Sequence, residues 1–218
     1  MPYFARTHGR IGATLATNSV ASNGGVFGLD QVLSSLTTQP LSVKPLAAST
    51  SNASTPNAAY EDWYAAVIHF VYTKAELNAA GWTSGQTITA IQFKVVAALG
   101  YPYTPGYAIG MVNTGSASGS ALTGLTTVRP PTSITFTATA NATNTITLNT
   151  PFQWNGTSNL GIALAWQSKT SWSYGYAEAG SGSSIWTYST TIGSGFTLAS
   201  VPATLDTYGR PALTLVRA

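Results

Sequence analysis

WYAAVIHFVYTKAELNAAGWTSGQTITAIQFKVVAA, residues Trp63–Ala98, decides the fold class of this chain. Its first ten residues are apolar and β-branched or aromatic at nearly every position, the pattern of a strand covered on both faces. His69 falls inside that run and reads as a buried, hydrogen-bonded histidine rather than a ligand or a base. TKAELNAAG then carries three helix signals. Thr73 caps the N-terminus, Glu76 three residues later completes a capping box, and Gly81 suits the left-handed position past the end. A two-turn helix is therefore expected over about 74–80. TITAIQFKVVAA (87–98) returns to a strand pattern.

Working outward, the same punctuation recurs. YAIGMV (107–112), SITFTAT (133–139), TITLN (145–149), LGIALAW (160–166), SIWTYST (184–190) and PALTLVR (211–217) are each bounded by Gly, Pro, Asn or Ser. Many short strands with one helix predict an all-β fold, an antiparallel β-sandwich or jelly roll. Between two of these runs, TPFQWNGTSNL (150–160) reads as a structural turn. Asn155-Gly156 reverses the chain, Thr157, Ser158 and Asn159 bond backbone groups, and Trp154 packs beneath.

Residues 1–59 differ. Small-residue stretches such as IGATLATNSVASNGG and LAASTSNASTPNAA flank VFGLDQVLSSLTTQPL, where one helical turn is expected at Asp30–Leu36. Pro40 and Pro45 favour an extended path beyond it. The organisation expected is an extended N-terminal arm (1–59) that serves assembly and docking, followed by a sandwich domain (60–218). The arm's anchoring residues would be Tyr3, Phe4, Arg6, Arg10, Phe27 and Leu29.

Composition bounds the chemistry. The chain has 218 residues, no cysteine, and only 7% charged residues, well under the usual quarter or so. Disulfides and thiolate metal sites are excluded. Nine scattered Lys and Arg give a net charge of +3 without a basic cluster, so no nucleic-acid partner is expected. No apolar run approaches the ~18 residues of a membrane span, and MPYFARTHGR is not followed by a leader-like apolar stretch. Six carboxylates, two histidines and no G-x-S-x-G elbow supply no recognisable acid–base pair or nucleophile. No enzyme activity, cofactor or metal is expected.

What remains is aromatic. Tyr101, Tyr103 and Tyr107 sit on a Pro-Gly loop, and Trp172, Tyr174 and Tyr176 alternate along SWSYGYAEAG, with Trp186 able to pair beside them. Two readings stand for both groups: side chains of the sandwich core, or a platform for sugar rings or a protein partner.

YTKAELNAAGWTSGQTITAIQFKVVAA, TPFQWNGTSNL and the terminal RPAL together resemble a β-sandwich module of large adhesin-like bacterial surface proteins. Tyr72, Thr73, Glu76, Leu77, Phe93, Pro151, Phe152, Trp154, Gly156, Asn159, Leu160, Arg210 and Pro211 match its pattern, while Asn155 stands where that module has Asp. The resemblance covers about 62–218. Joined to a small-residue arm, it looks like a tailed-bacteriophage virion protein that shares the module. It implies a non-enzymatic structural component, displayed as a tail fibre, tail tip or capsid decoration, that adheres to host cell-surface polysaccharide. The implied partners are other virion proteins and further copies of the chain in a homo-oligomer, a trimer. The implied location is the virion, assembled in the host cytoplasm. A free-standing bacterial carbohydrate-binding or adhesin module is the competing expectation.

Overall fold

The computed structural model describes residues 41–42, 48–49, 64–98, 100–167, 169–170, 176–180, 182–206 and 209–218. The arm anchors Tyr3, Phe4, Arg6, Arg10, Phe27 and Leu29, the helical turn at Asp30–Leu36, and Trp172 and Tyr174 lie outside the described residues. Long strands dominate: β3 (Ala65–Tyr72), β4 (Thr87–Ala97), β5 (Tyr103–Thr114), β6 (Thr126–Thr135), β7 (Thr143–Gln153) and β8 (Asn159–Trp166). Shorter ones are β1 (Leu41–Ser42), β2 (Ala48–Ser49), β9 (Tyr176–Ala177), β10 (Ala179–Gly180), β11 (Ser184–Ser189), β12 (Thr204–Asp206), β13 (Arg210–Pro211) and β14 (Thr214–Arg217). A helix, α1 (Lys74–Ala79), joins β3 to β4.

Every pairing is antiparallel. One sheet runs β12-β11-β3-β8-β5-β6, and it faces a second of order β1-β14-β4-β7, where β9 extends the pairing of β4. β13-β10-β2 form a short third ladder. Among the described residues the protein is an all-β antiparallel sandwich with one short helix, as the strand pattern predicts. Two strands from the segment read as an arm pair with the sandwich: β1 along β14 and β2 along β10.

Alternation places the core. Ala66, Ile68, Phe70 and Tyr72 of β3 and Leu160, Ile162, Leu164 and Trp166 of β8 point inward. They meet Ile91, Phe93 and Val95 of β4, Ile146 of β7 and Leu215 of β14. Burying each large side chain contributes about 1.5–3 kcal/mol. Phe136 knits the centre, edge-on to Phe93 at 5.1 Å and to Tyr107 at 5.5 Å, while Tyr107 stacks on Trp166 at 6.1 Å.

The opposite face of the larger sheet is buried too, which explains the small residues between the large ones. Gly161, Ala163 and Ala165 alternate with the core residues of β8, and all three are buried. The β5–β6 connection lays Leu122 on Gly161, so closely that a Cβ there would sit 2.8 Å from the leucine. Leu125 and Leu198 press on Gly110 in the same way. Larger residues would lift these loops off the sheet.

β6 begins seven residues before the strand read at 133–139 and ends at Thr135. Pro130-Pro131 argues against a strand only where ladder donors are needed. β6 is an edge strand with both prolines exposed, and there proline also discourages pairing with other chains.

Candidate functional site

The two ends of the sandwich are built differently. At one end β3 runs into α1, β4 starts, and the β7–β8 turn closes. Thr73 caps α1: its side chain accepts from the Glu76 N–H at 3.2 Å, and the Thr73 N–H donates to Glu76 Oε2 at 2.8 Å. The other carboxylate oxygen of Glu76 takes a bond from Arg210, which also donates to the Val71 carbonyl and lies over the Tyr72 ring at 4.7 Å. Tyr72 donates its hydroxyl to the Pro211 carbonyl and accepts from the Leu213 N–H at 3.1 Å. Burial alone would raise the Glu76 carboxyl, but the Thr73 N–H and Arg210 outweigh it and hold it below the usual carboxylate value. Burial raises the Tyr72 hydroxyl, so it stays protonated and donates.

The β7–β8 turn locks onto the same end. Asn155 Oδ1 accepts from the N–H groups of Thr157 and Ser158, at 3.0 and 2.9 Å. Trp154 is fully buried and donates its indole N–H to the Ser158 carbonyl at 2.9 Å. Gly156 takes φ 75° with Ser84 so close that any Cβ would collide with it. Asn159 Oδ1 accepts from the Lys74 N–H at 2.9 Å, tying the turn to α1. Tyr72, Glu76, Trp154, Asn159, Arg210 and Pro211, far apart in sequence, thus form one hydrogen-bonded closure.

The opposite end is made of loops. Ala65 pairs with Ser189, Ala66 with Trp166, and Ala108 with Ala165, so the starts of β3 and β5 and the ends of β8 and β11 share it. Tyr103, Ile192 and Val201 are the large apolar side chains described as exposed, at 42%, 59% and 75%, and all three belong to this end. Tyr103 packs edge-on against Tyr101 at 6.4 Å, and the Tyr101 hydroxyl pairs with Thr170 Oγ1 at 2.8 Å. Lys169, next to Thr170 in the chain, is buried, 1% exposed, its ammonium 5.7 Å from the Trp166 ring centre.

The aromatic candidates therefore separate. Tyr101 and Tyr103 are on the surface of the loop end. Tyr107 does not belong with them: it is fully buried and stacked on Trp166, in phase with Ile109 and Met111 of the core, and the register shift between Thr104 and Tyr107 with Gly106 at φ 60° separates it from Tyr103. Trp186 is half-buried and stacks on Tyr188 at 4.5 Å, at the margin of the core. Tyr176 pairs through its backbone with Ala97, at the loop end of β4. Sequence reading missed Lys169, which stands in a Ser-Lys-Thr turn that reads as solvated.

His69 is buried as expected. Its Nδ1 accepts from the Leu122 N–H at 3.0 Å, which pins the β5–β6 connection across the sheet. Burial lowers its pKa to about 4, so the ring is neutral at neutral pH and carries its proton on Nε2.

No family model, curated protein or solved structure matches this chain. The fold defines a class by architecture: an antiparallel β-sandwich closed at one end and presenting aromatic side chains at the other.

Proposed function

We propose that this chain is a non-enzymatic virion structural protein of a tailed bacteriophage, a tail or capsid-decoration component that contacts host surface glycans or a neighbouring virion protein through its loop end. The observation that carries the contact surface is the collection of Tyr103, Ile192 and Val201, with Tyr101 beside Tyr103, at one end. Paired tyrosines with a fixed ring geometry offer apolar area at little entropic cost, and they can stack on a pyranose or seat a partner loop. Low charge with many hydroxyl and amide side chains suits a surface that works inside an assembly. The arm, residues 1–40 in particular, serves assembly in this reading: Tyr3, Phe4, Phe27 and Leu29 bury against another subunit, and Arg6 and Arg10 face an acidic neighbour.

Mass spectrometry of particles purified from the source of this sequence tests the proposal. Peptides of the chain in stoichiometric amount support it. Recovery only from bacterial envelopes or culture medium favours a free-standing adhesin or carbohydrate-binding module instead.

A further inference from the structure

We propose that the free edge of β7 receives, as an added strand, the uncharged stretch 11–22 from the arm of a neighbouring copy. β7 is the last strand of the smaller sheet and pairs with β4 alone. The register fixes where its backbone groups point. The Val95 N–H donates to the Ala142 carbonyl on the β7 side at 2.8 Å, whereas the Lys94 carbonyl accepts from the Glu178 N–H on the other side. Odd-numbered residues of β4 therefore bond β7, through the pairs Phe93–Asn144 and Ile91–Ile146. The N–H and C=O groups of Thr143, Thr145 and Thr147 point away from β4, at an edge with no ladder partner among the described residues.

The other edges of the two large sheets are guarded. β6 carries Pro130-Pro131 beside Arg129, β12 has three residues and β1 has two. β7 has eleven residues, no charged side chain, and a single proline, Pro151, near its end. A long, uncharged edge without these safeguards is a template for strand addition, in which main-chain hydrogen bonds supply the affinity.

The alternation of β7 selects the occupant. Asn144, Ile146 and Leu148 are buried, while Thr143, Thr145 and Thr147 are exposed, and an added strand must continue both faces. Residues 11–29 of the arm carry no charge, and within them Ile11, Ala13 and Leu15 alternate with Gly12, Thr14 and Ala16. The first set extends the apolar face, and the second lies beside the threonines without crowding them. The arm anchors flank this stretch, Tyr3 and Phe4 before it and Phe27 and Leu29 after it. The described chain begins at β1, on the opposite edge of the same sheet. Each copy thus receives an arm at one edge and sends one from the other, a head-to-tail contact that closes as a ring. The choice of a neighbour's arm over the chain's own rests on the assembly role proposed for residues 1–40.

Amide hydrogen exchange on 15N-labelled full chain, with sedimentation of the same samples, tests the site. In the assembled protein the Thr145 and Thr147 amides should exchange as slowly as those of Asn144 and Ile146, and should become fast on dilution to monomer. Thr145→Lys places a charge on the exposed edge, so it should dissociate the assembly and speed exchange at Thr147 while Ile146 stays protected. Fast exchange at Thr145 and Thr147 within an assembly that requires residues 1–40 overturns the proposal and leaves the arm's assembly role standing. Slow exchange in a monomer places a segment of the same chain at the edge and also overturns it, as does a folded Thr145→Lys protein that still assembles. If that variant does not fold, the wild-type exchange pattern decides.

Discussion

Trp154 fills the space under the β7–β8 turn with no exposed surface and uses its indole N–H on the Ser158 carbonyl. Trp154→Ala should therefore lower unfolding free energy by ~3–5 kcal/mol, the range for emptying a large buried site. Chemical denaturation of the two proteins measures it, and an unchanged midpoint would mean the ring is not buried. His69 gives a pH signature. Its folded pKa of about 4 lies below the ordinary value of 6.5, so the unfolded chain binds the proton more tightly. The stability it contributes is full above pH ~6.5 and is lost as pH falls toward 4, by on the order of 3 kcal/mol. Its paired neighbours, Ala163 and Ile185, are uncharged. Stability of His69→Gln should consequently vary less than wild type between pH 7 and pH 4.5, and parallel curves would contradict the assignment.

At the element scale, α1 is held by contacts that local sequence only partly reveals. The capping box was legible in Thr73 and Glu76 because its partners are three residues apart. The second role of Glu76, binding Arg210, spans 134 residues and has no local signal. A salt bridge between a buried arginine and a carboxylate with 30% side-chain exposure is costlier to break from the glutamate side, because the arginine charge is then left buried and unpaired. Glu76→Ala should destabilise by ~3–5 kcal/mol, and Thr73→Ala by ~1 kcal/mol. A double-mutant cycle joining Glu76→Ala and Arg210→Ala should give a coupling of ~0.5–3 kcal/mol. Additive losses would show that the helix docks without this pair.

Strands were legible wherever apolar residues alternated between turn residues, as in β8, and misplaced where edge position overrode local chemistry, as at Pro130-Pro131 of β6. The covered outer face was half-visible: Gly161 and Ala163 signal close approach, but not that Leu122 is what approaches. Tyr107 and Tyr103 look alike in sequence and, four residues apart, would share one face of a regular strand; the irregularity between Thr104 and Tyr107 separates them and has no local signal beyond Gly106.

Over the whole molecule, one end is locked by the Tyr72–Glu76–Arg210 closure and the other carries exposed loops. This division makes the arm and the loop end separable by experiment. Deleting residues 1–40 leaves β1 and β2 in place, so the remaining chain should fold with an unchanged melting temperature, and under the proposed role of the arm sedimentation should show a trimer for the full chain and a monomer for the deleted one. Retained trimers would move assembly onto the sandwich. The central claim, that the loop end makes the functional contact, is tested most directly by binding of purified chain to host cell surfaces. With Tyr101→Ala and Tyr103→Ala combined, affinity should fall about tenfold or more, the effect of removing one hot spot of ~1.4 kcal/mol or greater, while the melting temperature holds. Equal binding by wild type and the double variant, both folded, would contradict it.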